Sequence, residues 1–230
     1  MQLELDAGNT RIKWRLKDAS GLIAAAGRDL NREMGNYPEL LNESLSVFLS
    51  SVEPKQTQWV QKHFPQVSIA TTQAETLGLK NSYTDPNRMG IDRWLAMLAA
   101  YRSDESIKHL IVDAGTAVTL DVVEQGYHRG GFICPGLTMM KKAVLGETQT
   151  VYAQAEWLKG RALGTETQAC LDHGMIDMVC SWIESHAKGQ LATKVWLTGG
   201  DAGTLAPLLD VSVALEPDLV LNGLTEYFNQ

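Results

Sequence analysis

The sequence predicts an α/β fold built twice, each copy a mixed sheet with helices packed on its faces. Two observations carry this expectation. A pattern of strand, Asp-Ala-Gly, turn, strand, turn, strand opens the chain and recurs about half the chain later. Strand-like and helix-like periodicities then alternate through the remainder of each half.

The first strand is read from Leu3 and Leu5, which alternate with Gln2 and Glu4 before Asp6-Ala7-Gly8-Asn9-Thr10. Gly8-Asn9 is a turn signal, because both residues tolerate positive φ. Ile12, Trp14 and Leu16 then alternate against Arg11, Lys13, Arg15 and Lys17, which predicts a half-buried second strand. After a turn over 18–21, Leu22-Ile23 begins a third. The pattern restarts at Leu110-Ile111-Val112, reaches Asp113-Ala114-Gly115-Thr116, and continues with Val118, Leu120 and Val122 alternating against Thr119 and Asp121. Glu124-Gln125-Gly126 turns the chain into a strand over 127–133.

Ile91, Trp94, Leu95, Leu98 and Tyr101 fall at helical spacing, as do Ala169, Met175, Met178, Val179, Trp182 and Ile183. Short apolar strands are expected at 47–52, 67–70 and 195–198, and a closing helix at 219–228. Ser103-Asp104-Glu105-Ser106 interrupts the apolar pattern, so the predicted domains are 1–105 and 106–230.

With 230 residues the chain can bury a substantial core, and 44% apolar with 20% charged residues is a globular composition. The net charge of −7 comes from 20 basic and 27 acidic groups, and no basic patch offsets it. Nucleic acid is therefore not an expected partner. Cys134, Cys170 and Cys180 are an odd number without CxxC spacing, which predicts buried or inert thiols rather than disulfides or zinc. No apolar run reaches membrane-spanning length and no leader precedes the first strand, so the expected location is the cytoplasm, away from membranes.

The Asp-Ala-Gly loops carry the chemistry. A phosphate-binding turn needs glycine so that backbone N–H groups can reach the oxygens, and hydroxyl side chains add donors. A neighbouring carboxylate can hold Mg²⁺ through water. Either loop alone also fits an ordinary polar hairpin tip; the matched pair points to phosphate binding. Neither GxxxxGK[ST] nor a GxGxxG after a strand is present, and His63, His109, His128, His173 and His186 are isolated. Val195-Trp196-Leu197-Thr198-Gly199-Gly200-Asp201 ends a strand in a double glycine, an arrangement that admits a ring or ribose to the backbone as readily as it makes a simple turn. Between the loops, Tyr83 to Arg93 includes Gly90, which can admit a substrate to the backbone. Asp92 either caps a helix or accepts a proton from a substrate hydroxyl, with Arg93 anchoring an anionic group.

In order along the chain, four motifs resemble the type III pantothenate kinase family of the acetate and sugar kinase/Hsp70/actin superfamily. They are Asp6-x-Gly8-Asn9-Thr10, Gly90-x-Asp92-Arg93, Asp113-x-Gly115-Thr116-Ala117-x-Thr119-x-Asp121 and Gly130-Gly131-x-Ile133-x-Pro135-Gly136. The resemblance covers nearly the whole chain. It implies duplicated ribonuclease-H-like (actin-like ATPase) domains with ATP in the cleft, a homodimer, and transfer of phosphate from ATP to pantothenate in the first step of coenzyme A synthesis. It implies that Asp6, Ala7, Gly8, Asn9, Thr10, Arg11, Ile12 and Lys13 hold the ATP phosphates, with Mg²⁺ reached from Asp6 through water. By the same resemblance Thr116 contacts ATP, and Asp113 binds a monovalent cation (K⁺ or NH₄⁺). Asp92 becomes the general base, and Tyr83, Gly90, Ile91, Asp92 and Arg93 contact pantothenate, joined by Thr167 from across the dimer. A sugar or carboxylate kinase of the same superfamily and a non-catalytic nucleotide-binding regulator are the competing readings.

Overall fold

The computed structural model describes residues 1–41, 45–147, 154–189 and 194–229. The chain opens with β1 (Gln2–Ala7), β2 (Ile12–Lys17) and β3 (Ile23–Gly27), then a short helix α1 (Leu30–Glu33). β4 (Ser46–Ser51), α2 (Pro54–His63), β5 (Ser68–Ile69), the small hairpin of β6 (Glu75–Thr76) and β7 (Leu79–Lys80), and α3 (Ile91–Ser103) follow. The strand pattern restarts with β8 (His109–Ala114), β9 (Ala117–Glu124) and β10 (Tyr127–Pro135). After it come α4 (Leu137–Glu147), α5 (Thr167–Gly189), β11 (Lys194–Thr198), α6 (Ala202–Leu205), β12 (Ala214–Leu215) and α7 (Leu219–Phe228).

The chain divides into two compact units, Met1–Ser103 with Asp218–Gln230, and Asp104–Pro217. In the first, the strand order is β3-β2-β1-β4-β5. β1 pairs antiparallel with β2 and parallel with β4, and β4 runs parallel to β5. In the second, the order β10-β9-β8-β11-β12 repeats the same directions: an antiparallel meander, then two parallel neighbours. The duplication read from the two Asp-Ala-Gly stretches is thus a duplication of topology. Each sheet has its own apolar core. Leu3, Leu5, Trp14, Leu16 and Leu49 anchor the first; Leu110, Val112, Leu120, Ile176 and Ile183 anchor the second.

Two features depart from the periodicity. The C-terminal segment groups with the first unit, where a boundary at 105/106 assigned it to the second half. The apolar face of α7, with Leu221, Leu224 and Tyr227 buried, packs on α3 and on β1 and β4. Gly223 makes this close: a Cβ there would lie 1.9 Å from the Leu95 carbonyl oxygen of α3.

The second departure follows from the first. The polar faces of β1 and β2 are covered, so Glu4 and Arg15 are buried. Arg15 pairs with Glu4 and donates to Asn222 Oδ1 (2.7 Å), the Leu221 carbonyl oxygen (2.7 Å) and Thr225 Oγ1 (2.9 Å). Lys17 Nζ lies 3.0 Å from Glu4 Oε1. Buried charge is costly unless paired and hydrogen-bonded, and here both conditions hold.

Removing one partner of a buried pair leaves the other uncompensated. Glu4→Ala is expected to destabilise the protein by about 3 kcal/mol in urea unfolding. A loss within about 0.5 kcal/mol, the range of ordinary surface substitutions, contradicts the account.

Candidate functional site

In the first unit the β-ladder sets the site. Asp6 lies opposite Lys13 on β2 and beside Ser50 on β4. The turn between β1 and β2 is closed by Gly8 N–H donating to the Arg11 carbonyl oxygen at 3.1 Å, which leaves Asn9, Thr10 and Arg11 exposed at its tip. Ala7 and Ile12 are fully buried, so they fix the ends of the turn rather than present side chains to a ligand.

Burial pushes the Asp6 carboxyl up to about 7, and the negative charge of Asp92 adds to the rise. Ser50 and Lys13 act in the opposite direction. The Ser50 hydroxyl is buried beside Asp6, and of the two it lowers the Asp6 carboxyl the more. Two carboxylates are therefore held within electrostatic reach of one another, an arrangement suited to a cation with phosphate oxygens as further ligands.

Asp92 sits in the first turn of α3. Its Oδ1 accepts the Arg93 backbone N–H at 2.8 Å, which orients the carboxylate. Gly90 makes room for it, since a Cβ there would lie 2.5 Å from Asp92 Oδ1. Arg93 is buried, donates from Nη1 to the Tyr83 hydroxyl at 2.9 Å and stacks over the Tyr83 ring at 5.8 Å. Tyr83 is itself half-buried, and Ile91 is buried in the helix. The structure thus gathers Asp6, Lys13 and Asp92 in one unit and couples Tyr83 to Arg93. Sequence reasoning missed Ser50 and also Asp218, whose Oδ1 lies 2.6 Å from Lys13 Nζ. Ser50 falls in a strand visible in the sequence, but only the register identifies it.

In the second unit Asp113 ends β8, opposite Thr119 and beside Thr198. Three loops meet around it. Gly136 N–H donates to the Thr116 carbonyl oxygen at 3.0 Å, and Asp201 N–H to the Ala114 carbonyl oxygen at 2.9 Å. At Gly199, with φ of +96°, a Cβ would stand 2.4 Å from both the Ala114 carbonyl oxygen and Asp113 Oδ1. The first glycine of the pair after β11 is therefore required by the Asp113 loop. Burial raises the Asp201 carboxyl. The Thr116 side chain is exposed beside these loops. Thr167 is exposed at the start of α5.

The thiols split. Cys180 is buried, and burial pushes it up to about 11. Cys134 is half-buried. Cys170 is exposed, so of the expected buried or inert thiols it is not a buried one; the first turn of α5 leaves it on the outer face, its Sγ 3.3 Å from the Gly164 carbonyl oxygen. Among the described residues no cluster of three or more His, Cys, Asp or Glu side chains could hold a metal by itself.

The family model for type III pantothenate kinase matches residues 2–188. The chain is 33% identical over 246 residues to the type III pantothenate kinase of Cellvibrio japonicus (strain Ueda107), covering 100% of this chain and 97% of that protein. It is 35% identical over 237 residues to the type III pantothenate kinase of Marinobacter nauticus (strain ATCC 700491 / DSM 11845 / VT8), covering 97% and 96%. Among solved structures, a Campylobacter jejuni protein assigned to the Baf family of transcriptional activators matches with a TM-score of 0.67 at 20% identity, covering 99% of this chain and 97% of that one. A Sinorhizobium meliloti protein assigned as a 2-dehydro-3-deoxygalactonokinase gives 0.59 at 14%, covering 98% and 97%. Those two likenesses are of fold alone. The chain belongs to the type III pantothenate kinase family.

Because the folded Asp6 carboxyl titrates near 7 rather than at 3.8, folding takes up a proton between those pH values. Stability attached to this group falls as pH rises through that window, and the cost is fully present above it. Without nucleotide or divalent metal, Asp6→Asn is expected to raise the melting temperature relative to the unsubstituted protein at pH 8 and to change it little at pH 4. Equal differences at the two pH values contradict the shift.

Proposed function

We propose that this chain transfers the γ-phosphate of ATP to the primary hydroxyl of pantothenate, giving ADP and 4′-phosphopantothenate in the first step of coenzyme A biosynthesis, with Asp92 as general base. Membership of the type III pantothenate kinase family supports the reaction. The observation that supports the residue roles is the Asp6 carboxyl, raised by burial and by the charge of Asp92, opposite Lys13 in the β1–β2 ladder.

Asp92, held by its own helix N–H, accepts the proton of the pantothenate hydroxyl as that oxygen attacks the γ-phosphorus. The bond from the γ-phosphorus to the β–γ bridging oxygen breaks and ADP leaves. The turn from Asp6 to Lys13 receives the triphosphate: Gly8, Asn9, Thr10 and Arg11 offer N–H and side-chain donors, and Lys13 offers a charge. The Asp6 carboxylate fits a Mg²⁺ held through water. When bound, that ion would spread the phosphate charge, with one or two carboxylates and the phosphate oxygens as its usual partners. Thr116 contacts ATP as well. Asp113, with loop carbonyls close by, holds the monovalent cation, K⁺ or NH₄⁺.

Gly90, Ile91, Arg93 and Tyr83 shape the pantothenate side. Arg93 is anchored on Tyr83, so it presents a fixed positive charge to the pantothenate carboxylate. Thr167 completes the pocket from the partner of a homodimer. An exposed apolar surface of the second unit supports that assembly: Phe132 is 50% and Met178 56% exposed, and the Phe132 ring packs 4.8 Å from His186. The enzyme works in the cytoplasm; among the described residues no helix is long and apolar enough to cross a membrane.

Purified protein with ATP, Mg²⁺ and K⁺ is expected to phosphorylate pantothenate and to leave sugars and other hydroxy acids untouched. Asp92→Asn should lower kcat by about 10²-fold or more with an unchanged circular-dichroism spectrum; turnover close to the unsubstituted rate would falsify the base assignment. ATP binding without turnover of any acceptor restores the regulator reading. Gly90→Ala should displace the Asp92 carboxylate and lower kcat with little effect on the melting temperature. An unchanged kcat in that variant removes Gly90 from the mechanism.

A further inference from the structure

We infer that Asp218, at the N-terminus of α7, is a positioning residue that holds the Lys13 ammonium at the triphosphate end of the site. The inference rests on the reading that the turn from Asp6 to Lys13 binds ATP phosphates. Lys13 Nζ lies 2.6 Å from Asp218 Oδ1, and the positive charge of Lys13 also acts on Asp6, which faces it across the β1–β2 ladder. The ammonium is thus drawn between the Asp6 and Asp218 carboxylates. An ammonium carries three N–H donors, so it can bridge a carboxylate and a phosphate oxygen at once.

The position of Asp218 is informative. An aspartate at a helix N-cap ordinarily accepts a backbone N–H from the first turn. Asp218 makes no such capping bond; its carboxylate is directed to Lys13 instead. The base from which it acts is rigid. Buried Arg15 binds the Leu221 carbonyl oxygen, Asn222 and Thr225, all on α7. Gly223 lets α7 approach the α3 backbone so closely that no side chain fits between them. The helix that holds Lys13 is therefore locked to the helix whose first turn carries Asp92. A flexible four-carbon lysine stem is poorly placed by its own strand, and a short aspartate on a fixed helix removes much of that freedom.

The test separates positioning from folding and from substrate identity. Nucleotide affinity is measured directly by titrating Mg²⁺-ATP, so that it reads out whether or not pantothenate is the acceptor. Failure of pantothenate turnover would sink the functional reading and leave this experiment intact. Asp218→Asn is expected to weaken Mg²⁺-ATP binding about fivefold, with the KM for pantothenate unchanged and the melting temperature shifted little. Asp218→Glu, which keeps the charge, should recover most of the loss. The decisive arm is a double-mutant cycle with Lys13→Met: if Asp218 acts through Lys13, adding Asp218→Asn to Lys13→Met costs nothing further. Additive losses, unchanged ATP affinity in Asp218→Asn, or an equal loss in the Glu variant each overturn the proposal.

Discussion

The first unit is organised around a repulsion. Asp6 ends β1 and Asp92 opens α3, and each makes the other's negative charge less favourable in a region that has already lost water. Such a pair does not persist unless the surrounding structure over-determines both positions. For Asp6 the constraint is the ladder, with β2 on one side and β4 on the other. For Asp92 it is a helix whose residues Trp94 to Tyr101 are all buried, preceded by a glycine that leaves space for the carboxylate. The fold itself holds the two carboxylates within reach of one another.

That burial of α3 depends on α7, which comes from the far end of the chain. Contact between α3 and α7 requires Gly223, and seating α7 on the sheet requires an internal ion pair and its hydrogen bonds. Hydrophobic contacts alone tolerate small slides and rotations. The Arg15 guanidinium, with acceptors in fixed directions on Glu4, Leu221, Asn222 and Thr225, does not. In this protein the buried charge specifies the register of a helix rather than adding greatly to stability.

What the sequence revealed follows from range. The meanders β1–β3 and β8–β10, α3, α5 and α7 were legible because period-2 and period-3.6 patterns are local. The Asp-Ala-Gly turns were legible for the same reason, and their repetition signalled the duplicated topology. The burial of Glu4 and Arg15 was not legible, because alternation reports that one face is buried and is silent about a helix from the far end of the chain that covers the other. Asp218 and Ser50 carried no signal at all: an aspartate before a helix reads as a cap, and a serine in an apolar strand reads as filler. The need for Gly199 was likewise invisible, since it arises from the Asp113 loop pressing against it.

The two copies also show how one scaffold gives its two aspartates different surroundings. In each, an aspartate ends the central strand, with a hydroxyl residue beside it on the parallel neighbour: Ser50 for Asp6, Thr198 for Asp113. The cross-strand partner differs, being Lys13 for Asp6 and Thr119 for Asp113. The surroundings diverge in the same sense. Asp6 meets a second carboxylate, whereas Asp113 meets glycine loops whose backbone comes within contact distance. A lysine and a second carboxylate beside Asp6 set a different charge balance from the close-packed glycine loops beside Asp113. The duplicated sheet thus accounts for where the aspartates stand, and the neighbours of each one account for how its charge balance differs.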